Sequence, residues 1–361
     1  MKKKLLLIAY RAYGDWLYTV PVLPYLFERY DIYLETNWKI YNLVYNDPRF
    51  KHISYLIYEK YPKDRWTELF FKRWVEVKKK LKPDRTINLN GSLETTCIAE
   101  NFQKEFYLPM ELRRNYFNKN TFYDAVFERC RIPIPKEFKL DELYYSDKEI
   151  KIVENWRLKE KDWFIIIMPI AGSTSQKVLH SFRNWVDQIL YRYPQSKVYL
   201  SGDDLCKNLV QSIQEPRIKN LCGYDIPIKQ NFLMTKYADY VIGPETGTLV
   251  AAGMWGTPKT MLCTTSSVYQ CTKYQNNDNS IQASIQCSPC HRAIYFDTDC
   301  ERMLGDIKKK ILYPACTKTF DINQIFKFID PIYEKFRERG KSVPHLTEKY
   351  PFPQQKVGKN E

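Results

Sequence analysis

Asp15 follows Arg11-Ala12-Tyr13-Gly14, where an apolar run from Lys4 to Ala9 gives way to helical spacing from Trp16. A carboxylate at the carboxyl end of a buried strand is placed for proton abstraction, because open α/β sheets bind ligands there. An acidic residue in a first helical turn is also favoured by the macrodipole alone. With only 4 His in 361 residues, a carboxylate is the better candidate for a general base.

A second constellation is Gly243-Pro244-Glu245-Thr246-Gly247-Thr248, after the apolar Tyr240-Val241-Ile242 and before the small-residue stretch Leu249 to Ala252. It reads as a strand running into a polar turn and then a helix. Its glycines admit positive φ or a ligand close to the backbone, and the first N–H groups of the helix suit phosphate or ribose. A strand–turn–helix joint capped by Thr246 or Thr248 accounts for the same residues. Two further loops carry hydroxyls and a lysine: Ala171-Gly172-Ser173-Thr174-Ser175-Gln176-Lys177, and Cys263-Thr264-Thr265-Ser266-Ser267 with Thr272-Lys273, a set that could reach a donor phosphate.

These loops need a scaffold. The run Lys4 to Ala9 is a strand, Trp16 to Tyr30 a helix interrupted by Pro21 and Pro24, and Asp31–Glu35 and Ile53–Ile57 are further strands. Trp66 to Leu81 is helical, Thr86 to Ser92 strand then loop, and Tyr123 to Ile132 helical before Pro133-Ile134-Pro135. A second alternating series begins after a helix at Asp147–Leu158, with strands at Asp162–Pro169 and Lys197–Leu200 and a helix at Arg183–Arg192. Alternation of strands and helices predicts parallel sheets covered by helices, here two Rossmann-like α/β domains facing across a cleft. Residues 1–145 are expected to form the first and 146–330 the second, with 331–361 a closing helix and flexible basic tail; the helix itself is read over Phe320 to Arg337.

The 56 Lys and Arg against 42 Asp and Glu give a net charge of +14, which fits a polyanionic partner such as a nucleotide-sugar, a phosphorylated saccharide, nucleic acid or a membrane surface. Charges scattered along the whole chain serve solubility equally well. No apolar run is long enough to span a bilayer, so a soluble, cytoplasmic protein with at most peripheral membrane contact is expected. Seven of the 12 glycines lie between 172 and 256, which marks that segment as the ligand holder.

Arg11 to Pro21 resembles the N-terminal loop of glycosyltransferase family 9, the heptosyltransferase-like enzymes, with its Arg, Gly-Asp and Thr-x-Pro. Gly172 to Lys177 resembles that family's hydroxyl-and-lysine segment, and Gly243 to Ala252 its Asp-Thr-Gly turn. The resemblance implies a GT-B fold and inverting sugar transfer from a nucleotide-activated donor to a hydroxyl of a saccharide or glycolipid, with no cofactor required for the chemistry. By it, Asp15 would be the general base, with Arg11 and Gly14 beside the acceptor. Gly172, Ser173, Thr174 and Lys177 would contact the diphosphate, and Gly243, Glu245, Thr246, Gly247 and Thr248 would hold the donor, with Lys273 nearby. The chain departs from the family at Glu245, commonly Asp, and at Val250, commonly His.

Cys287-x-x-Cys290 followed by Cys300 and Cys316 can supply four thiolates for a tetrahedral structural zinc, with His291 as an alternative ligand. Reduced, packed thiols fit the same residues. Two other functions share this sequence: a glycosyltransferase acting on nucleic acid, such as hydroxylated bases of phage DNA, and a non-catalytic nucleotide- or sugar-binding protein.

Overall fold

The computed structural model describes residues 2–57, 60, 66–89, 111, 115, 118–138, 140, 143–170, 177–179, 181–203, 206, 207, 210, 213–223, 226–291, 300, 303–306 and 311–339. Two parallel sheets, each within its own α/β domain, form the frame, as the alternating pattern predicts.

The first sheet holds β1 (Lys3–Ala9), β2 (Tyr30–Asn37), β3 (His52–Leu56) and β4 (Arg85–Asn88) in the order β3-β2-β1-β4. Its first helical connection is cut in three: α1 (Tyr13–Thr19), a 3₁₀ turn at Val20–Val22, and α2 (Leu23–Arg29). Pro21 and Pro24 lack the N–H that a continuous helix would need, so each stands at the start of its own segment. The other helices on this side are α3 (Trp38–Val44), α4 (Trp66–Leu81) and α5 (Phe122–Cys130), the last begun by a capping box between Thr121 and Asp124.

A helix, α6 (Asp147–Lys159), capped by Ser146 and Glu149, leads into the second sheet. That sheet contains β5 (Phe164–Pro169), β6 (Ser196–Ser201), β7 (Ile218–Asn220), β8 (Tyr240–Pro244), β9 (Lys259–Cys263) and β10 (Ile281–Gln282), in the order β10-β9-β8-β5-β6-β7. Every residue of β5 is buried, as expected of a central strand covered on both faces. Its helices are α7 (Phe182–Arg192), α8 (Ile228–Tyr237), α9 (Gly247–Met254) and α10 (Val268–Thr272). An antiparallel hairpin, β11 (Met303–Asp306) with β12 (Ile311–Pro314), follows.

The final helix, α11 (Ile322–Glu338), buries Ile322, Ile325, Phe326, Ile329 and Tyr333 in the second domain's core, a stripe at helical spacing. It starts well before the expected 330/331 boundary, which falls inside it. The tail beyond 339 lies outside the described residues. Among the described residues no helix is long and apolar enough to cross a membrane.

Strand order reverses beside β1 in the first sheet and beside β5 in the second. Ligands of open α/β sheets bind at such switch points, outside the strands' carboxyl ends, which is where the loops after β1 and β8 lie. The domains are packed rather than merely adjacent. One buried cluster runs from Trp16, Leu17 and Tyr18 of α1 to Leu249, Val250, Ala251 and Ala252 of α9. Tyr123 meets Tyr274 edge-on at 5.8 Å, and the Tyr274 hydroxyl donates to Asp124 at 2.7 Å.

Candidate active site between the two domains

On the first domain's side, the loop after β1 is braced from three directions. Arg11 is 2% exposed, and its guanidinium donates to the Leu89 carbonyl, to the Asp15 carbonyl at 3.3 Å and to the Thr19 hydroxyl at 3.2 Å. Asn37, at the end of β2, donates to the Arg11 carbonyl at 2.8 Å while its own oxygen caps α3. Thr19 returns a hydrogen bond to the Asp15 carbonyl at 3.0 Å. Trp16 and Leu17, both fully buried, anchor the helix behind the loop. Asp15 itself is half-buried in the first turn of α1. Through these bonds Arg11, expected beside the acceptor, also shapes the loop that carries Asp15.

On the second domain's side, β8 delivers the Gly-Pro-Glu-Thr-Gly turn. A Cβ on Gly243 would stand 2.5 Å from the Pro169 carbonyl, so this glycine is required by the close approach of β8 to β5 rather than by a ligand. Glu245 is 7% exposed. Its carboxylate accepts from the backbone N–H groups of Thr264, Thr265 and Ser266 at 2.6, 2.6 and 3.0 Å, and from the hydroxyls of Thr264 and Thr265 at 2.8 and 3.1 Å. Burial alone would raise its pKa; the Lys177 ammonium and the Thr264 and Thr265 donors outweigh burial and hold the carboxyl below its ordinary value. The run at 263–267, expected to face a donor phosphate, therefore spends its donors on Glu245. Glu245 in turn organises that loop.

Lys177 does reach the turn, its Nζ donating to the Glu245 carbonyl at 3.3 Å. Gly172, Ser173 and Thr174 lie outside the described residues. Thr246 begins α9 without a side-chain cap, and its buried hydroxyl has no hydrogen-bond partner among the described residues. The first amides of a helix lack intrahelical acceptors, so the Gly247 and Thr248 end of α9 is an electropositive donor set. Lys273 is held elsewhere, at 3.8 Å from Asp124 and over the rings of Tyr269 and Tyr274, on the seam between the domains.

The two sides touch. A Cβ on Gly247 would lie 3.3 Å from the Gly14 nitrogen and 3.0 Å from the ring of Phe232, which also packs edge-on to Tyr13. The half-turn carrying Asp15 thus faces the amide end of α9 with no side chain at either point of contact. The chemistry this permits is general-base attack on a ligand whose anionic portion rests on α9 and Lys177. Phe232, Asn37 and the Glu245–Thr264 network were not assigned these roles from sequence. Asn37, sitting before an apolar-periodic stretch at a strand end, carried a capping signal that would have found α3.

The cysteine segment is only partly described. Among the described residues no cysteine is in a disulfide, and no three His, Cys, Asp or Glu side chains stand close enough to hold a metal ion. Burial, with Cys290, Cys300 and Cys287 as neighbours, pushes the Cys316 thiol up to about 12.

No protein-family model matches the chain, and no curated protein does. Solved structures do. The crystal structure of a glycosyl transferase family 9 protein from Veillonella parvula aligns with a TM-score of 0.65 at 13% identity, over 93% of this chain and 98% of that one. The E. coli ADP-heptose LPS heptosyltransferase II aligns with a TM-score of 0.60 at 13% identity, over 93% and 100%. The iron-containing dodecameric glycosyltransferase TibC from enterotoxigenic E. coli aligns at 0.56 and 12%, over 92% and 76%. Two parallel sheets, two switch-point loops meeting across a crevice and these alignments together show that the chain has the GT-B fold of family 9 glycosyltransferase structures.

Proposed function

We propose that the protein is an inverting glycosyltransferase that moves a sugar from a nucleoside diphosphate donor to an acceptor hydroxyl. The observation that supports this reading is the contact of Gly14 with Gly247, which brings the turn that carries Asp15 against the first turn of α9. Residues 1–145 present the acceptor and residues 146–330 hold the donor.

The donor's diphosphate lies on the N-terminus of α9, with Gly247 and Thr248 amides, the Thr246 hydroxyl and Lys177 as donors, joined by Gly172, Ser173 and Thr174. An ammonium has three N–H groups, so Lys177 can serve the Glu245 carbonyl and a phosphate oxygen together. Asp15 accepts the proton of the acceptor hydroxyl as its oxygen attacks the anomeric carbon. The bond from that carbon to the diphosphate breaks on the opposite face, inverting the centre, and the nucleoside diphosphate leaves with the electron pair. Its growing charge is met by the α9 amides and Lys177. Gly14 lets the Asp15 turn approach Gly247, and Arg11 holds the loop in place.

The donor class follows the solved neighbours, among them E. coli WaaC with ADP and TibC with ADP-D-beta-D-heptose, which makes an ADP-activated sugar the first to test. A saccharide or glycolipid hydroxyl is the acceptor, and a cytoplasmic location fits such a donor. The test is a thermal-shift screen of nucleoside diphosphate sugars followed by transfer assays: an ADP-sugar raises the melting temperature by mass action. No shift with any nucleoside diphosphate sugar would defeat the reading.

As placed, Cys287, Cys290, Cys300 and Cys316 do not stand close enough to ligate one ion; that they close on a structural metal when one is supplied is the remaining part of the proposal. Four thiolates suit zinc or iron in tetrahedral geometry, and such an ion would tie the hairpin β11–β12 to the loop after β10.

A further inference from the structure

Lys229, in the first turn of α8, is an ammonium buried where the two domains join; its side chain is 3% exposed. Taking a charge out of water is costly unless its hydrogen bonds are replaced, and here they are. Its Nζ lies 2.7 Å from the Asn46 side-chain oxygen, just past α3, and 3.0 and 3.2 Å from the two Glu149 oxygens on α6. The rings of Tyr45, Tyr144 and Tyr145 surround it at 5.5, 5.8 and 5.2 Å, presenting their negative faces. Asn46 closes the triangle by donating to Glu149 at 3.0 Å. One side chain thus fastens α3 of the first domain to α6 and α8 of the second.

That fastening lies on the same helix as the site. One turn after Lys229, Phe232 packs edge-on to Tyr13 at 6.2 Å, and its ring stands 3.0 Å from where a Cβ on Gly247 would be. The position of α8 against α3 therefore sets where Phe232 sits, and with it the gap between the Asp15 loop and the amide end of α9. We infer that Lys229 is a positioning residue for the transfer reaction, a tie between the domains that holds acceptor and donor sides at reacting distance. The inference rests on the glycosyltransferase reading above.

Lys229→Met tests it, because methionine keeps an unbranched apolar stem while removing the charge. Glu149 is not orphaned by the change, since it still accepts from the Ser146 amide and hydroxyl, both at 2.8 Å. Asn46→Ala, on the opposite domain, is the second variant should the first fail to fold. Both are measured for melting temperature, donor-induced melting shift, kcat and donor KM, and for hydrogen exchange at Tyr13–Thr19 and Gly247–Met254.

The expected result is a folded protein that keeps the donor-induced shift, exchanges faster in both segments, and loses about 10-fold or more in kcat with donor KM changed less than about threefold. Unchanged exchange, or faster exchange with unchanged kcat, would overturn it. A wild-type protein that transfers no sugar defeats the enzymatic reading instead, and the exchange result alone then decides whether Lys229 ties the domains.

Discussion

Gly14 and Gly247 approach backbone to backbone, and the geometry is asymmetric: a Cβ on Gly247 would stand 3.3 Å from the Gly14 nitrogen, whereas one on Gly14 would stand 3.6 Å from the Gly247 nitrogen. The first is tighter than ordinary contact and the second is not. Gly247→Ala is also opposed by Phe232, so it must push the halves of the site apart. A misplacement of about 1 Å can cost on the order of 100-fold in rate. Gly247→Ala is therefore expected to lower kcat by about 10- to 100-fold, and Gly14→Ala by far less, in transfer assays on proteins with matched melting temperatures.

Glu245 is expected to matter to stability first. Removing one side of a buried, fully bonded charge costs about 3 kcal/mol or more, so Glu245→Gln should lower the melting temperature clearly. The sign of the pH effect follows from its lowered carboxyl pKa: the charged form contributes stability above the ordinary value of 4.5, and that contribution is lost as pH falls through the still lower folded value. Melting curves below pH 4.5 should show the wild type losing this increment and Glu245→Gln lacking it.

Donor affinity is expected to separate from stability at Lys177 and Thr246. Thr246→Val removes a hydroxyl that has no hydrogen-bond partner among the described residues, so the donor-free melting temperature should hold while donor affinity falls about 10-fold, the worth of one hydrogen bond. Lys177→Met removes a charge-assisted contact and should cost more, about 100-fold. Calorimetric titration with an ADP-sugar measures both.

Much of this site was legible in the sequence because its parts are local. The strand–loop–helix around Asp15 and the strand–turn–helix around Glu245 each announce themselves within about a dozen residues by apolar runs, glycines and caps. What escaped is long-range. The carboxylate of Glu245 accepts from Thr264 to Ser266, some 20 residues on, a pairing that no spacing within its own turn indicates. Lys273 stands 3.8 Å from Asp124 of the other domain, a neighbour its own loop does not reveal. Spacing along the chain reveals which residues share a loop, but not which of two loops a carboxylate turns toward. The closing helix was visible from its apolar stripe, while its membership of the second domain depends on Phe164 and Tyr193, which pack against Tyr333.

The cysteines make a separable prediction. Protein purified without chelator is expected to hold about one zinc or iron ion per chain by elemental analysis, and Cys287→Ser with Cys290→Ser to lose it. Since this segment is tied to the loop that braces Glu245, the Ser288 hydroxyl donating to the Thr264 carbonyl at 2.8 Å and the His291 amide to the Thr265 carbonyl at 2.7 Å, the metal-free variant should melt lower and bind the donor more weakly.

The central claim is that Asp15 is the base. Asp15→Asn keeps the shape of the side chain while removing its capacity to accept a proton, and the Asp15 contacts to Arg11 and Thr19 use its backbone carbonyl, which the substitution leaves in place. The account predicts that Asp15→Asn binds the nucleotide-sugar with a melting shift like that of the wild type, while kcat for transfer falls by about 100-fold or more. Transfer at the wild-type rate by Asp15→Asn would contradict it.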